Sequence, residues 1–206
     1  MKNKKEKIIL DLCGGTGSWS RPYKEAGYDV RNITLPDYDV RIYTPPKNVY
    51  GILAAPPCTH LAGSGARWWK EKGDEKLLEA LSIVDACLRI ILISKPKFWC
   101  LENPVGRLSR FLGKPKMYFN PCDYGDPWTK KTCLWGEFNI PKKNPVKPLV
   151  PSKDIPKGSY CQDIVYSKLL KQGKNPIWNM PPSKNRGELR SITPKGFAEA
   201  FFRANQ

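Results

Sequence analysis

The chain has 206 residues and a mass of 23.4 kDa, which is the size of one ordinary domain and argues against a two-domain enzyme. Hydrophobic residues make up 40% of it, which excludes wholesale disorder, whereas 35 Lys and Arg against 19 Asp and Glu give a formal net charge of +16. Such a basic chain is expected to attract a polyanion, either nucleic acid or an acidic membrane surface, and composition does not choose between them.

No stretch of the sequence is typical of a membrane span or a secretory signal. The longest apolar runs, 8–10 and 90–93, are far shorter than the ~20 residues that a spanning helix needs. We therefore expect a soluble cytoplasmic protein with reduced cysteines. The seven cysteines form no CxxC pair, so we predict neither a disulfide framework nor a zinc site, and no metal.

The amino-terminal half alternates predicted strands with predicted helices. The predicted strands are 7–12, 28–35, 49–55 and 97–101. The predicted helices are 19–26, after a glycine turn at 13–18, and 75–94. The second helix is amphipathic, because apolar residues recur at three- and four-residue spacings: Leu77, Leu78, Leu81, Val84, Leu88 and Ile91. This alternation predicts an α/β fold with a mostly parallel sheet flanked by helices.

Residues 139–190 have a different character. Pro and Lys are frequent there, and periodic apolar residues are few, with only 160–170 hinting at a short element. We expect an ordered but irregular segment that lies over the sheet without a core of its own, so that residues 1–206 form a single domain.

Three predicted strands end in residues that can carry chemistry, and in a parallel α/β sheet such ends meet at the ligand site. They are the glycine turn, Cys58 after two prolines, and Glu102 with Asn103. The glycine turn lacks the Lys of a P-loop and has Ser20 in place of the third glycine of a dinucleotide fingerprint. A nucleoside-type cofactor fits it better, although a plain tight turn is an equal alternative.

Cys58 is a candidate nucleophile. Two consecutive prolines stiffen the backbone directly before it, and Arg67 and Lys70 are placed downstream to favour its thiolate. A buried loop cysteine is the alternative. His60, the only histidine, is two residues away but has no third group to orient it, so we do not assign it as a base.

Glu102 follows an apolar strand, where partial burial would raise its pKa and let the carboxyl donate as well as accept a hydrogen bond. Such a carboxyl suits a ring nitrogen beside an exocyclic amine. A capping or salt-bridged glutamate is the alternative.

Taken in order, these motifs resemble those of the cytosine carbon-5 DNA methyltransferases, in particular the compact kind found in phage and prophage genomes. Residues 11–18, DLCGGTGS, resemble the S-adenosylmethionine loop DLFxGxGG; residues 55–59, APPCT, resemble the catalytic PPCQ loop; and residues 102–104, ENP, resemble the ENV motif. Residues 124–132 resemble the segment that ends in QxRxR, and 190–194 with 197–200 resemble the closing motifs. The resemblance covers roughly 8–138 and the carboxyl-terminal tail.

The resemblance implies a Rossmann-like, S-adenosylmethionine-dependent enzyme that methylates carbon-5 of cytosine in DNA through a covalent Cys58 adduct. Glu102 would hold the ring, and Asn103 would position either the Cys58 loop or the base. Lys130 and Thr132 stand where the family has the cations of QxRxR, and a Lys does not reproduce the bidentate fork of an Arg. The target base must leave the duplex stack to reach such a site.

For the cofactor, the resemblance implies that Asp11, Gly15 and Gly17 contact the methionine end and that Asp39 and Val40 contact the adenine. The remaining residues that we assign to the cofactor site are Cys13, Gly14, Ser18, Trp19, Thr34 and Pro56. Cys13 replaces a family Phe that packs on adenine, so Trp19 is a candidate substitute. Thr34 stands near the position of an acidic residue that binds the ribose, with Asp37 as the alternative.

For the DNA, we expect contacts from Arg67, Lys70, Lys130 and Lys131. Residues 139–188 take the place of the family's large target recognition domain, so we expect a short or relaxed DNA context. Phosphate contacts are expected from Lys142, Lys143, Lys147, Lys153 and Lys157, for each of which a solvated face is the alternative. We expect a monomer.

Two rival interpretations remain open at this point. One is an RNA methyltransferase that acts on tRNA cytosine with the same motifs, and the other is a catalytically silent module that binds nucleic acid. The sequence does not address a different one-carbon donor or a modified pyrimidine substrate.

Overall fold

A computed structural model describes residues 6–148, 184 and 186–206 of the chain. The strands are β1 (Ile8–Leu12), β2 (Asp29–Ile33), β3 (Val49–Ala54), β4 (Phe98–Pro104), β5 (Met117–Phe119) and β6 (Thr132–Glu137). The helices are α1 (Arg21–Glu25), α2 (Trp69–Ser94), α3 (Ser109–Leu112), α4 (Arg186–Ser191) and α5 (Lys195–Ala204). Two 3₁₀ turns cover Gly63–Trp68 and Pro121–Tyr124.

The six strands form one sheet in the order β2-β1-β3-β4-β6-β5. The first four are parallel to one another, whereas β6 runs antiparallel to both β4 and β5. The central strands are almost wholly apolar because both faces of the sheet are covered, as in β1, whose last four residues are all buried. The predicted fold class, a Rossmann-like α/β fold with a mostly parallel sheet between helices, is confirmed.

Each face of the sheet has its own hydrophobic layer. On one face, Leu10, Ile52 and Leu101 pack with the buried side of α2. On the other face, the alternate strand residues pack with α1 and α5 through aromatic rings, among them Tyr23 and Phe201. Because the helices cover both faces, the carboxyl-terminal edge of the parallel strands is left open for a site.

The helices differ from the sequence prediction at their ends. Helix α1 begins at Arg21, two residues later than predicted, because 17–20 form a turn. Helix α2 begins at Trp69 and is interrupted at Gly73 (φ 67°, ψ −176°), so only its second part follows the predicted 75–94. The prediction that Leu78 belongs to the buried stripe is wrong: its side chain is 65% exposed, because it lies about 120° around the helix from the buried Val84.

The prediction for 139–190 is tested only in part. Residues 139–148 contain no helix or strand, and backbone hydrogen bonds from Asn144 to Asp123 (2.9 Å) and from Val146 to Cys122 (2.8 Å) attach them to the preceding 3₁₀ turn. At the other end, helix α4 lies inside the range predicted to be irregular, so that prediction is wrong for 186–190. The short element predicted at 160–170, Cys161, Lys153 and Lys157 lie outside the described residues.

None of the described helices combines the length and the apolar character that crossing a membrane requires.

Candidate active site

The carboxyl ends of β1, β3 and β4 open into a cavity of about 710 Å³, a volume suited to a small-molecule ligand. Residues just before β6 and residues of the α4 region complete its wall. Of the predicted catalytic residues, Cys58, Glu102 and Lys130 line it. The lining also includes six of the predicted cofactor residues: Asp11, Cys13, Gly14, Gly15, Trp19 and Pro56. It includes three of the predicted DNA contacts: Arg67, Lys130 and Lys131.

Asp11 lies at the end of β1 and is fully buried. The Ser20 hydroxyl donates a hydrogen bond to its Oδ2 (2.5 Å), whereas its Oδ1 is buried without a partner among the described residues. Burial raises the pKa of Asp11 to about 6, against the lowering effect of the Ser20 hydrogen bond. A Cβ at Gly14 would lie 2.4 Å from the Asp11 Cγ, so the turn passes directly against this carboxyl group.

Asn32 also holds the glycine turn, and the sequence analysis did not assign it. Its side-chain nitrogen donates to the Gly15 carbonyl (2.8 Å), and it faces Asp11 in the β1–β2 register. In the sequence, this role of Asn32 is indicated only by its position near the end of the predicted second strand. Ser20 was noted only as a departure from the dinucleotide fingerprint, yet it is the partner of Asp11.

The other predicted cofactor residues lie outside the cavity lining. The buried Ser18 hydroxyl accepts a hydrogen bond from the Thr193 amide (2.9 Å), which connects the glycine turn to the carboxyl-terminal helices. Asp39 pairs with the Arg41 guanidinium at the surface, and Val40 is buried. The lining also omits Gly17, Thr34 and Asp37.

Trp19 lines the cavity but is also a core residue. Its side chain is 2% exposed, and its ring lies 5.4 Å from that of Phe201 and 6.0 Å from that of Phe197. Its indole nitrogen is buried without a partner among the described residues. The ring position is therefore fixed by the core, and its N–H group has no acceptor among the described residues.

Cys58 follows β3 on a loop whose backbone is held at both ends. The Ala55 amide donates to the Leu12 carbonyl (2.9 Å), and the amides of Leu61 and Ala62 both donate to the Cys58 carbonyl. The Asn103 side chain donates to the Pro56 carbonyl (2.9 Å) from a fully buried position. Of the two roles that the resemblance implied for Asn103, this hydrogen bond serves the positioning of the loop.

Cys58 is partly exposed and lines the cavity. Burial raises its pKa, and the nearby Glu102 raises it further, whereas the charges of Lys130 and Arg190 lower it. The cations that lower the pKa of Cys58 are thus not the ones expected from the sequence. Arg67 lines the cavity but is not one of these charges, and Lys70 is not part of the lining. Arg190 comes from a helix that the sequence analysis did not predict.

Burial also raises the pKa of Glu102, as expected from its place after an apolar strand, and Lys130 opposes this rise. The Lys130 ammonium donates to the Arg190 carbonyl (3.0 Å). Thr132 is buried and donates to the Lys130 carbonyl (2.9 Å), so it fixes the Lys130 backbone and is not part of the cavity wall.

A second set of contacts ties the loop after Cys58 to the segment after β4. The Gly63 amide donates to the Val105 carbonyl (2.8 Å), and the Arg107 amide donates to the Leu61 carbonyl (2.9 Å). The Arg107 guanidinium donates to the His60 carbonyl (2.9 Å) and lies 4.4 Å from the Trp69 ring. His60 is not part of the lining, in keeping with its exclusion as a base, and burial lowers its pKa.

Comparisons with known proteins add little to this geometry. No protein-family model matches the chain, and no curated protein matches it. One solved structure with 18% identity and a TM-score of 0.44 is of a candidate DNA modification methyltransferase encoded within an E. coli prophage, and the match covers 68% of this chain. The chain spans about half of that structure, with 53% covered.

A second solved structure, the DhpI–SAM–HEP complex, has 14% identity and a TM-score of 0.25, with 71% of this chain and 67% of that chain covered. Since both TM-scores are low, functional conclusions depend on the cavity and its residues.

Proposed function

We propose that the chain is an S-adenosylmethionine-dependent methyltransferase that transfers a methyl group to carbon-5 of cytosine in DNA. The observation that supports this most is that one cavity is lined by Cys58, by Glu102 and by the glycine turn that begins after Asp11. A nucleophile, a group that can hold a pyrimidine edge and a cofactor loop thus share a single space.

The residues around Asp11 fit the cofactor. The unpartnered Asp11 Oδ1 is an acceptor for a cationic amino group, and the Trp19 indole is a donor for an acceptor atom. A bound ammonium near Asp11 would stabilise its charged form and lower its pKa. When bound, S-adenosylmethionine supplies an electrophilic methyl group, and Gly14 and Gly15 let it approach the backbone closely.

In the same cavity, Cys58 activates the base. Lys130 and Arg190 offset part of the rise in the pKa of Cys58 that burial and Glu102 cause. Once the thiol has released its proton to solvent, the thiolate adds to carbon-6 of cytosine and so makes carbon-5 nucleophilic. Carbon-5 would then take the methyl group, whose bond to the sulfur of the cofactor would break and leave the electron pair on that sulfur. Loss of the carbon-5 proton and cleavage of the bond between sulfur and carbon-6 release the product and the thiolate.

Glu102 supports the same steps from the far edge of the ring. Its raised pKa favours a protonated carboxyl, which donates to the ring nitrogen N3 while the other oxygen accepts from the exocyclic amine. Donation to N3 draws electron density away from carbon-6 and assists addition of the thiolate. Lys130 opposes this rise in pKa.

The positive charge of the molecule favours binding to nucleic acid. The formal net charge is +16, and the cavity lining contains the cations Arg67, Lys130, Lys131 and Arg190. Phosphates near the cavity mouth would be attracted by this field, and the strength of binding should fall as salt rises.

The test is mass spectrometry of nucleosides from DNA incubated with the protein and S-adenosylmethionine, with tRNA as a parallel substrate. We expect 5-methylcytosine in the DNA. Methylation of tRNA alone would contradict the assignment of DNA, and methylation of another base would contradict the chemistry.

Cys58→Ser should reduce methyl transfer by at least roughly 100-fold, because a serine hydroxyl is a much weaker nucleophile than a thiolate at neutral pH. The matched control is Cys122→Ser, which changes a partly exposed cysteine outside the cavity and should leave the rate unchanged. Equal rates for Cys58→Ser and the original protein would rule out the covalent mechanism.

A further inference from the structure

The outward face of helix α2 carries leucines, although a helix that packs on a sheet normally has polar residues on that side. Successive residues of a helix are separated by about 100° of rotation, so five positions of α2 lie within about 40° of one direction. That direction is about 140° around the helix from the mean direction of its buried residues. We call these five residues the leucine face: Leu78, Leu81, Asp85, Leu88 and Leu92.

The apolar side chains of the leucine face are exposed to different degrees. Leu78 is 65% exposed and Leu92 is 74% exposed. Leu81 and Leu88 touch the core with one side and are only partly buried. The exposed leucines are thus not isolated side chains, because they belong to one continuous stripe of the helix.

The loop after β2 extends this apolar surface. Arg89 lies beside the leucine face and donates from Nη2 to the carbonyls of Arg41 (3.3 Å) and Tyr43 (3.1 Å), so Ile42 is held next to α2. Ile42 is 84% exposed, and Ile93, one turn after Arg89, is 59% exposed. Such a group of exposed apolar side chains is typical of a surface that a partner covers.

The charge of α2 argues against a polyanion as that partner. The helix contains five acidic and four basic residues, whereas the whole chain has a formal net charge of +16. The acidic residues are Glu71, Asp74, Glu75, Glu79 and Asp85, and the basic ones are Lys70, Lys72, Lys76 and Arg89. Nucleic acid and acidic membranes gain little on such a surface. Two copies of this basic chain, by contrast, repel each other least where their surfaces are close to neutral.

The described residues next to 149–183 lie away from the leucine face. The Val146 amide donates to the carbonyl of Cys122, in the second 3₁₀ turn. Tyr124 of that turn packs on Phe197 of α5, in the layer on the opposite face of the sheet. These contacts favour a second copy over the chain's own residues 149–183 as the occupant of the leucine face.

Asp85 selects the orientation of two such helices. It has no ion-pair partner among the residues that the structure describes. In a parallel pair it would lie beside the second copy's Asp85, and the like charges would repel. In an antiparallel pair with Leu81 opposite the second copy's Leu92, Asp85 lies next to the second copy's Arg89. Such an exposed ion pair adds little affinity, but it favours the antiparallel arrangement.

We infer that two copies of the chain associate through their leucine faces, with the two α2 helices antiparallel, in place of the monomer expected from the sequence. The leucine face covers residues 78–92, which is about 21 Å of helix, and Ile42 and Ile93 widen it. The cavity stays open, because it lies at the carboxyl edge of the sheet and the leucine face points away from the sheet.

Sedimentation equilibrium of the full chain, freed of nucleic acid and measured from low to high micromolar concentration, tests the association. We expect a reversible dimer with twice the chain mass of 23.4 kDa. The dimer should persist at high salt, because salt does not weaken apolar contacts, whereas association through residual nucleic acid would be lost. Loss of the dimer at high salt would therefore overturn the inference.

Leu78→Lys and Leu92→Lys should each raise the dissociation constant at least roughly 10-fold, because each removes a buried leucine from both copies. The matched control is Ile140→Lys. Ile140 is 63% exposed, like Leu78, but follows β6 and is not part of α2, so this variant should dimerise like the original protein. Thermal unfolding verifies that each variant is folded. An unchanged dissociation constant in both leucine variants would overturn the inference.

Cysteine cross-linking tests the orientation. A variant with both Leu81→Cys and Leu92→Cys should form a covalent dimer under mild oxidation, because the two positions face each other in an antiparallel pair. Each single variant should form no more covalent dimer than the original protein, which measures cross-linking by the native cysteines. A single variant that cross-links to its own copy would overturn the antiparallel arrangement.

The other occupants give different results. A chain that stays monomeric at the highest concentration would overturn the inference. A monomer that binds phosphatidylglycerol vesicles, and loses this binding in Leu92→Lys, would assign the leucine face to a membrane and overturn the inference as well. None of these measurements uses methyl transfer, so their failure would leave the proposed function standing.

Discussion

Asn103 shows how one buried side chain controls the position of the proposed nucleophile. Its amide donates to the Pro56 carbonyl, two residues before Cys58, and it is fully buried. Two consecutive prolines have no backbone N–H groups, so this part of the loop forms few hydrogen bonds of its own. Its carbonyl groups therefore accept hydrogen bonds from other parts of the chain. The loop is thereby attached to β4, the strand that also carries Glu102.

Asn103→Ala should therefore lower methyl transfer as well as stability. We expect a loss of about 1–3 kcal/mol in the free energy of unfolding, because the Pro56 carbonyl is left unpaired, and a fall in kcat measured well below the unfolding temperature. Asn205→Ala is the matched control. It removes another buried amide, which donates to the carbonyls of Asn139 and Phe201, and none of these three residues lines the cavity.

Asn205→Ala should lose similar stability and keep its kcat. Equal kcat values in the two variants would show that Asn103 has a purely structural role.

At the level of single residues, the residues at the centre of the site were predicted from the sequence more successfully than the residues around them. Cys58 and Glu102 follow predicted strands, and Asp11 lies near the end of one. The meeting of parallel strand ends brought the three residues to one cavity. Arg190 and Ser20 were missed as partners because their contacts join distant or turn-forming parts of the chain, and no local pattern marks such contacts. Of the expected cations, Arg67 lines the cavity but is not among the charges that lower the pKa of Cys58, and Lys70 is not part of the lining.

At the level of elements, a short bridge aligns the Cys58 loop with the segment after β4. Ala62 pairs with Gly106, and the flanking backbone hydrogen bonds involve Gly63 and Arg107. The two backbones approach so closely that a Cβ at Gly106 would lie 2.0 Å from the Leu61 carbonyl oxygen and 2.8 Å from the Gly63 nitrogen. Only glycine fits at this crossing.

Gly106→Ala should separate the two segments. We expect a loss of at least about 2 kcal/mol in the free energy of unfolding and faster hydrogen exchange at the amides of Gly63 and Arg107. Gly65→Ala, in the same loop, is the control for stability, because its Cβ would meet nothing closer than 3.9 Å. Unchanged exchange at both amides in Gly106→Ala would contradict the bridge as described.

Elements with strong local patterns were predicted, and those formed by distant pairing were not. The apolar runs of β1, β3 and β4 and the spacing of α2 are local signals. Strand β5 has only three residues, and β6 gains its stability from pairing with β4 and β5, so neither has a clear pattern of its own. The start of α2 was missed because Gly73 interrupts the helix before the apolar spacing begins.

At the level of the whole molecule, the carboxyl-terminal helix α5 completes the second layer and is anchored by a buried acid. The Gly196 amide donates to Asp126 Oδ2 (3.1 Å), and Asp126 is 2% exposed. Burial raises the pKa of Asp126 to about 7, and the charge of Glu199 adds to this effect. Asp126 thus joins two parts of the chain that are 70 residues apart.

The raised pKa makes stability depend on pH in a defined direction. Between about pH 4 and pH 7 the folded state keeps the Asp126 proton that the unfolded state has released, so the free energy of unfolding falls as pH rises through this window. Asp11, with its pKa of about 6, acts in the same direction over the lower part of the window. The protein should therefore unfold at a higher temperature at pH 5 than at pH 8.

Asp126→Asn removes the titration and keeps an oxygen that can accept from the Gly196 amide. The free energy of unfolding should fall from pH 5 to pH 8 in both proteins, but the fall should be about 1–3 kcal/mol smaller in the variant than in the original protein. Denaturant unfolding at each pH measures this difference. Asp85→Asn, on the exposed face of α2, is the control and should follow the original curve. An Asp126→Asn curve parallel to the original would show that Asp126 does not hold a proton in the folded state, and the pH dependence would then have to come from Asp11 or another buried acid.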